Sequence, residues 1–272
     1  MSADANEDGS SATSREPDLL RKVGLPREHG GWSLVLEPAI LGLLLRPSAA
    51  AVLLVLAAPV AFLLRTPLRI VLVDVYRRRR LHRTNVAIAL AGLEATVVVV
   101  LVVAASWLAR AAFWFPAIIA TPFVALAFLF EARSRGRRLL PEWAGSVGAG
   151  AAAAMIILAS GGGMRLAIGA WLILASRATS ALVHVRTVLA RRHGRATSRA
   201  TKHGADVLAL AGATAAAVVS APLLPGSLGV LATIVFQRLT GTVDRPPRTV
   251  GLRELALGVG VVIVTAVGYH VM

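Results

Sequence analysis

The stretch "TNVAIALAGLEATVVVVLVVAASWL", residues 84–108, carries one charged side chain, Glu94, in twenty-five positions. An α-helix of that length is about 37 Å long and spans the roughly 30 Å hydrocarbon core of a bilayer. A helix also satisfies its backbone hydrogen bonds internally, as lipid requires, and the in/out alternation of a membrane β-barrel strand is missing. The stretch therefore predicts a transmembrane helix.

Eight further apolar runs resemble this one, and the chain is 56% hydrophobic but only 16% charged. An ordinary soluble domain is about a quarter charged. The fold class predicted is all-α, a polytopic transmembrane helical bundle of about nine helices in a single domain over residues 25–272. Residues 1–24 are polar and lack the apolar core of a signal peptide, so they predict a disordered cytosolic tail. The predicted spans are 30–45, 48–66, 84–108, 111–130, 141–160, 165–190, 204–223, 226–240 and 250–271.

Basic residues are distributed very unevenly between the predicted loops. Of the 29 Lys and Arg residues, three (Arg46, Arg110 and Arg165) lie in one set of alternate loops, Arg177 lies inside a span, and all others lie on the opposite side. The positive-inside rule then predicts a multi-pass protein of the cell (inner) membrane with a cytoplasmic N-terminus and the C-terminus outside. The same rule explains the net charge of +15 without nucleic acid as a partner. Membrane lipids are the expected partners.

No cofactor and no metal is predicted. The chain has no cysteine, which excludes disulfides, thiolate catalysis and Cys-ligated zinc. Its six histidines are scattered and form no HExxH pattern, and no phosphate-binding P-loop is present. No catalytic residue can be assigned from spacing.

Three ionisable side chains stand inside predicted spans, namely Glu37, Glu94 and Arg177. A charge at that depth is costly, so each residue is a functional-site hypothesis, and Arg177 requires a carboxylate partner or a wet cavity. We therefore predict that Arg177 pairs with Glu37 or Glu94. A structural ion pair without a ligand is the alternative.

The stretch "LPREHGGWSLVLEP", residues 25–38, precedes and enters the first span. On a helix His29, Ser33 and Glu37 share one face because they are four residues apart. Trp32 is typical of a membrane interface. The stretch predicts an anchored helix entrance at which His29 and Glu37 face a bound substrate.

A basic cavity mouth is predicted where two long arginine-rich segments meet. His184 and Arg186 follow Arg177 toward the cytosolic side of span six. Arg65, Arg69 and Asp74 flank or follow Thr66-Pro67, where the second span is expected to be interrupted. Arginine binds phosphate and similar anions through paired donors, so these residues are candidate substrate-binding residues. The alternative is that the arginines extend to lipid headgroups.

The most basic connections follow spans two and six, four helices apart. This spacing predicts two four-helix halves, one to four and five to eight, with a ninth helix added. Membrane proteins that handle substrates often place the site between such internal repeats.

Four sequence motifs resemble the YwiC-like membrane protein family. "PREHGGW" at 26–32 is similar to the family's opening motif, and three later stretches are similar to its other recurring segments. The resemblance covers about residues 25–272 and implies no established activity. The later stretches are "RRLLPEWAG" (137–145), "SALVHVRTVLARR" (180–192) and "PRTVGLRELALG" (247–258).

The nine-helix layout also resembles the UbiA-type prenyltransferases, in which Asp-rich motifs after helices two and six hold Mg²⁺ and an isoprenoid diphosphate. Here "DVYRRRR" offers only Asp74, and the next acid after span six is Asp206. Mg²⁺ requires carboxylate oxygens as well as phosphates, so metal-dependent prenyl transfer is not supported. Whether any reaction is catalysed stays open.

The leading interpretation is an integral membrane protein that binds, or binds and transforms, an anionic or isoprenoid lipid in a cavity open to the cytosol. Intramembrane Glu and Arg with internal repeats are equally natural in a small-solute transporter or exporter. A partner subunit without enzymatic activity is the third interpretation. It predicts that the intramembrane charges pair only with one another.

Overall fold

The computed structural model describes residues 23–24, 31–133, 138–240 and 246–272. In these ranges the chain forms nine α-helices and no β-strand, and a single 3₁₀ turn, Ala221–Leu223, leads into the eighth helix. The N-terminal tail, except Val23 and Gly24, lies outside the described residues, as does His29. The helices are α1 Gly31–Leu45, α2 Ala49–Tyr76, α3 His82–Leu108, α4 Phe115–Ala132, α5 Leu139–Ala159, α6 Met164–Arg192, α7 Arg199–Val219, α8 Leu224–Leu239 and α9 Pro247–Val271.

Seven of these helices are long and apolar enough to cross a membrane: α2 to α6, α8 taken with its preceding 3₁₀ turn, and α9. The first helix is shorter, with 15 residues. Each of the nine predicted spans coincides with one helix. The prediction of a polytopic, all-α, multi-pass membrane protein is therefore confirmed.

The second helix corrects one prediction, since it does not stop at Thr66-Pro67 but continues to Tyr76. Proline removes one backbone hydrogen bond, and a membrane helix tolerates this when its neighbours pack around the ring. Pro67 is among the fully buried side chains. As a result Asp74 lies in the last turn of α2 rather than in a loop.

Helices α5 and α6 form the centre of the bundle, and α3 lies at its edge. In the most apolar part of each helix, 67% is buried in α5 and in α6 but only 6% in α3. Small residues permit close approach in α5, where Ala144, Ala151 and Ala154 are buried. The first helix packs against α5, and α9 closes back onto α1.

The helix contacts follow a repeating pattern. In the first four helices, α2 packs on α3 and α4, and in the next four, α6 packs on α7 and α8. The last helix of each group packs on the helix that follows it, α4 on α5 and α8 on α9. In one respect the halves differ, because α7 contacts α8 whereas α3 and α4 share no such contact among the described residues. This pattern agrees with two four-helix halves and a ninth helix. It places α1, α6, α8 and α9 together, and these four helices build the site described next.

Candidate functional site: a buried polar cluster

Six polar side chains from four helices meet inside the bundle, and each is less than a tenth exposed. Ser180 and His184 lie on the face of α6 that carries Arg177, because helical neighbours recur every three or four residues. We call this group the polar cluster. It consists of Glu37 of α1, Arg177, Ser180 and His184 of α6, Gln237 of α8, and Glu254 of α9.

Glu254 is the centre of the hydrogen-bond network. The Arg177 Nη2 lies 3.2 Å from Glu254 Oε2 and donates to the Glu254 carbonyl oxygen at 2.5 Å. Gln237 Nε2 donates to both carboxylate oxygens, at 2.9 and 3.2 Å. The Ser180 hydroxyl donates to Gln237 Oε1 at 2.7 Å, which orients the amide. The carboxylate of Glu254 is thus held by donors from two other helices.

The ion pair formed by Arg177 corrects the pairing predicted from the sequence. Its direct partner is Glu254, not Glu37 or Glu94. Glu94 belongs to α3, which packs mainly on α2 at the edge of the bundle. The sequence places these residues at similar depths, but only packing decides which of them face one another.

Glu37 enters the polar cluster from α1 and lies within electrostatic reach of both Arg177 and Glu254. Its carboxylate rests against the backbone of Gly258, one helical turn beyond Glu254. A Cβ added at Gly258 would overlap Glu37 Oε1. Glycine at this position therefore provides the space for a second carboxylate beside one guanidinium.

Two polar atoms in the cluster, Arg177 Nε and His184 Nδ1, have no hydrogen-bond partner in the described part of the chain. The other ring nitrogen of His184 is 3.9 Å from Glu254 Oε1, which is too long for a hydrogen bond. Most buried polar atoms in proteins are paired, so these two atoms are the ones in the polar cluster that could bond a further polar group.

A narrow crevice leads from His184 and Gln237 to the arginine-rich end of the bundle and has room for about one water molecule. We call its outer part the crevice mouth, formed by Lys202 and Asp206 of α7 and Arg238 of α8. Arg238 Nε donates to Asp206 Oδ2 at 2.6 Å. Burial lowers the pKa of Lys202 below its ordinary value, nearby Arg238 lowers it further, and Asp206 opposes this shift.

The cluster lies about 10 Å along α1 and α9 from their arginine-rich ends. Glu37 is the seventh residue of α1 and Glu254 the eighth of α9, so both lie about 10 Å from the first residue of their helix. Both helices begin at the arginine-rich side, which the sequence predicts to be cytosolic.

Two other predicted site residues form ion pairs elsewhere. Arg65 Nε donates to Glu131 of α4 at 2.9 Å. The Nη2 of Arg186 lies 2.8 Å from Glu142 Oε2, joining α6 to α5, and both side chains are about a third exposed. Each arginine therefore links two helices.

Asp74 is fully buried and has a structural role. It accepts hydrogen bonds from Arg83 Nη2 at 3.1 Å and from the Thr84 hydroxyl at 2.7 Å. These bonds tie the end of α2 to the start of α3. The remaining two predicted residues lie apart from the cluster, Arg69 exposed on α2 and Glu94 half-buried on α3.

Sequence reasoning missed Glu254 and Gln237 as site residues. Glu254 follows Arg253 close to the start of the last helix, a position typical of interfacial charges, and Gln237 is near a helix end. The sequence signal that could have identified Glu254 was Gly258, one turn later. A glycine at that position indicates a face of α9 that another helix or side chain can approach closely. Among the described residues, no group of three or more His, Asp and Glu side chains could hold a metal ion.

Comparison with known proteins identifies a family over part of the chain. Residues 25–158 match the family model described as YwiC-like protein, which confirms the resemblance over just under half of the chain. This range contains the opening motif and reaches the last turn of α5. Neither the curated proteins nor the solved structures contain a match to this chain.

Proposed function

We propose that this YwiC-like integral membrane protein binds a lipid with an anionic headgroup at the basic end of its helix bundle. The headgroup lies over the outer face of the crevice mouth, and the lipid chains lie along the outer surfaces of α7 and α8. The observation that carries this proposal is the excess positive charge of a partly buried lysine at the boundary between the charged end and the lipid-facing surface.

The crevice mouth retains a net positive charge after its internal pairing. Asp206 is engaged by Arg238. Lys202 remains, and Arg191 lies within electrostatic reach of it. Lysine and arginine are the residues that bind phosphate groups in proteins. An anionic group at this position would relieve the repulsion among the three cations.

Apolar surface directly beside the mouth favours a lipid over a dissolved anion. Val207, next to Asp206, is 66% exposed, and Leu239, next to Arg238, is 81% exposed. A ligand with both a charged head and apolar chains covers both kinds of surface at once. Acyl and isoprenoid chains are both apolar and suit this surface equally. The selectivity of the site therefore comes from the charged residues of the mouth, which bind the headgroup.

Native mass spectrometry with added phosphatidylglycerol tests the proposal. We expect Lys202→Gln to weaken retention about five-fold, because one basic residue near an anionic headgroup contributes about 1 kcal/mol. The matched control is Arg199→Gln, which removes the same charge from an exposed position one turn away. Equal retention by both variants would overturn the site. Complete competition by inorganic phosphate would indicate a dissolved anion instead of a lipid.

The pH dependence of binding sharpens the assignment. The pKa of Lys202 is lowered, so the ammonium form is lost as the pH rises through a value below that of an ordinary lysine. Because an anion binds the charged form, retention of phosphatidylglycerol should fall over that alkaline range. Lys202→Arg should remove the fall, since arginine stays protonated. A parallel decline in both proteins would contradict the role of Lys202.

A further inference from the structure

We propose that the polar cluster is a proton-binding site in which the Glu37 carboxyl carries an exchangeable proton at neutral pH. The proposal is independent of the lipid site, because the cluster lies deeper in the bundle and shares with the crevice only the side chains of His184 and Gln237.

The count of charges around Glu37 is the first support. Two carboxylates, Glu37 and Glu254, lie beside one guanidinium, Arg177, and all three side chains are less than a tenth exposed. Arg177 on α6 and Glu254 on α9 are the charged groups within electrostatic reach of Glu37. With both acids ionised the cluster would carry a net negative charge, which is costly inside a membrane. One proton on a carboxylate makes the cluster neutral.

The neighbouring cations do not provide the missing positive charge. Arg253 lies within electrostatic reach of Glu254, but its guanidinium donates to Thr240 and stacks over the ring of Phe236, and it is not among the charges that act on Glu37. His184 is buried within electrostatic reach of Arg253, Lys202 and Arg177, and its burial and then these cations oppose a further positive charge on its imidazole. The neutralising charge is therefore a proton on one of the two acids.

The hydrogen bonds decide which acid carries the proton. Glu254 accepts two hydrogen bonds from Gln237 and contacts Arg177, and all of these donors stabilise its ionised form. Glu37 has no such donor among the described residues, and its carboxylate rests against Gly258. The neutral acid is therefore Glu37.

The crevice provides an exchange path. Its lining includes His184 and Gln237, which both belong to the polar cluster, and its outer end reaches the charged groups at the end of the bundle. An imidazole can relay a proton between its two nitrogens, and His184 Nδ1 has no partner in the cluster. A single water in the crevice would connect this nitrogen to the surface.

Deprotonation would have a mechanical effect. Glu37 belongs to α1 and Glu254 to α9, and Arg177 on α6 lies within electrostatic reach of both. Loss of the proton places two negative charges beside one guanidinium and separates α1 from α9. Such a proton site is the device by which a membrane bundle couples pH to a change in helix packing.

Infrared spectroscopy of the purified protein tests the proton directly. We expect wild type at neutral pH to show a protonated-carboxyl C=O stretch that weakens as the pH is raised, and Glu37→Gln to lack that pH-dependent component. Glutamine retains the shape and neutrality of protonated Glu37, so the variant should fold. The control is Glu142→Gln, which removes a partly exposed acid that is paired with Arg186 and should leave the band unchanged.

Thermal unfolding in detergent provides the second measurement. Wild type should lose stability as the pH rises through the titration of the band, whereas Glu37→Gln should not. A band that persists in Glu37→Gln would overturn the proposal, as would a band lost only in Glu254→Gln. Absence of the band with sodium-dependent stabilisation would overturn it in favour of a metal cation.

Discussion

In the predicted arrangement of two four-helix halves α2 corresponds to α6, and each of these helices carries an arginine, Arg65 in "LRTPL" and Arg177 in "SRATS". Each pairs with a carboxylate from another helix, Glu131 for the first and Glu254 for the second. The Arg65 side chain is 41% exposed, whereas that of Arg177 is 4% exposed. The same pair of residue types therefore forms a partly exposed ion pair between α2 and α4, and a buried network among α6, α8 and α9.

The difference shows how burial determines what an ion pair requires. Water can solvate the exposed face of Arg65, so its charge costs little at this position. Arg177 has no such access, and its carboxylate partner is further held by Gln237, which Ser180 orients. The inner pair needed additional polar residues from α6 and α8, and those residues make it a candidate site.

The largest effect is expected from Arg177→Leu. Removing the guanidinium leaves Glu254 buried without its cation, which typically costs about 3–5 kcal/mol. We expect little monodisperse protein on size-exclusion chromatography and a strongly lowered melting temperature. Adding Glu254→Leu should restore part of the stability, because the buried charge is removed as well. A single variant as stable as wild type would show that solvent reaches Arg177.

A smaller effect is expected from Gly258→Ala, which sharpens the account of the inner site. The new methyl group would displace the Glu37 carboxylate, at a cost of about 1–3 kcal/mol. The matched control is Gly260→Ala in the same helix, where an added Cβ meets nothing within 4 Å. Alanine has the higher helix propensity, so the control should be neutral or more stable. Chemical unfolding of both variants gives the comparison, and equal losses would contradict the contact.

The smallest effect is expected from Arg65→Leu. Glu131 is buried, but its partner Arg65 is partly exposed, so water that enters when the guanidinium is removed can solvate the carboxylate and limit the loss to about 1 kcal/mol. The melting temperature should fall only slightly, and the protein should remain monodisperse. A loss as large as that of Arg177→Leu would remove the distinction between the two halves, since it would show that Glu131 depends on its arginine as Glu254 does.

Much of this architecture could be predicted because local composition determines it. Nine apolar runs predicted nine helices, since a bilayer of fixed thickness allows little except a helix of sufficient length. Glu37, Arg177 and His184 were also identified from the sequence, because ionisable side chains inside apolar runs are rare. Pro67 was misjudged, since its local preference was overridden by its packed environment.

The sequence by itself determined that this chain is a membrane-embedded helical bundle with a few costly buried charges and an arginine-rich end. Only the tertiary structure decided that Arg177 faces Glu254, that Gly258 makes room for Glu37, and that Arg65 and Asp74 serve helix contacts elsewhere. The physical reason is that hydropathy sets the length and depth of each helix independently. The rotation and the neighbours of a helix depend on side chains that lie far apart in the chain.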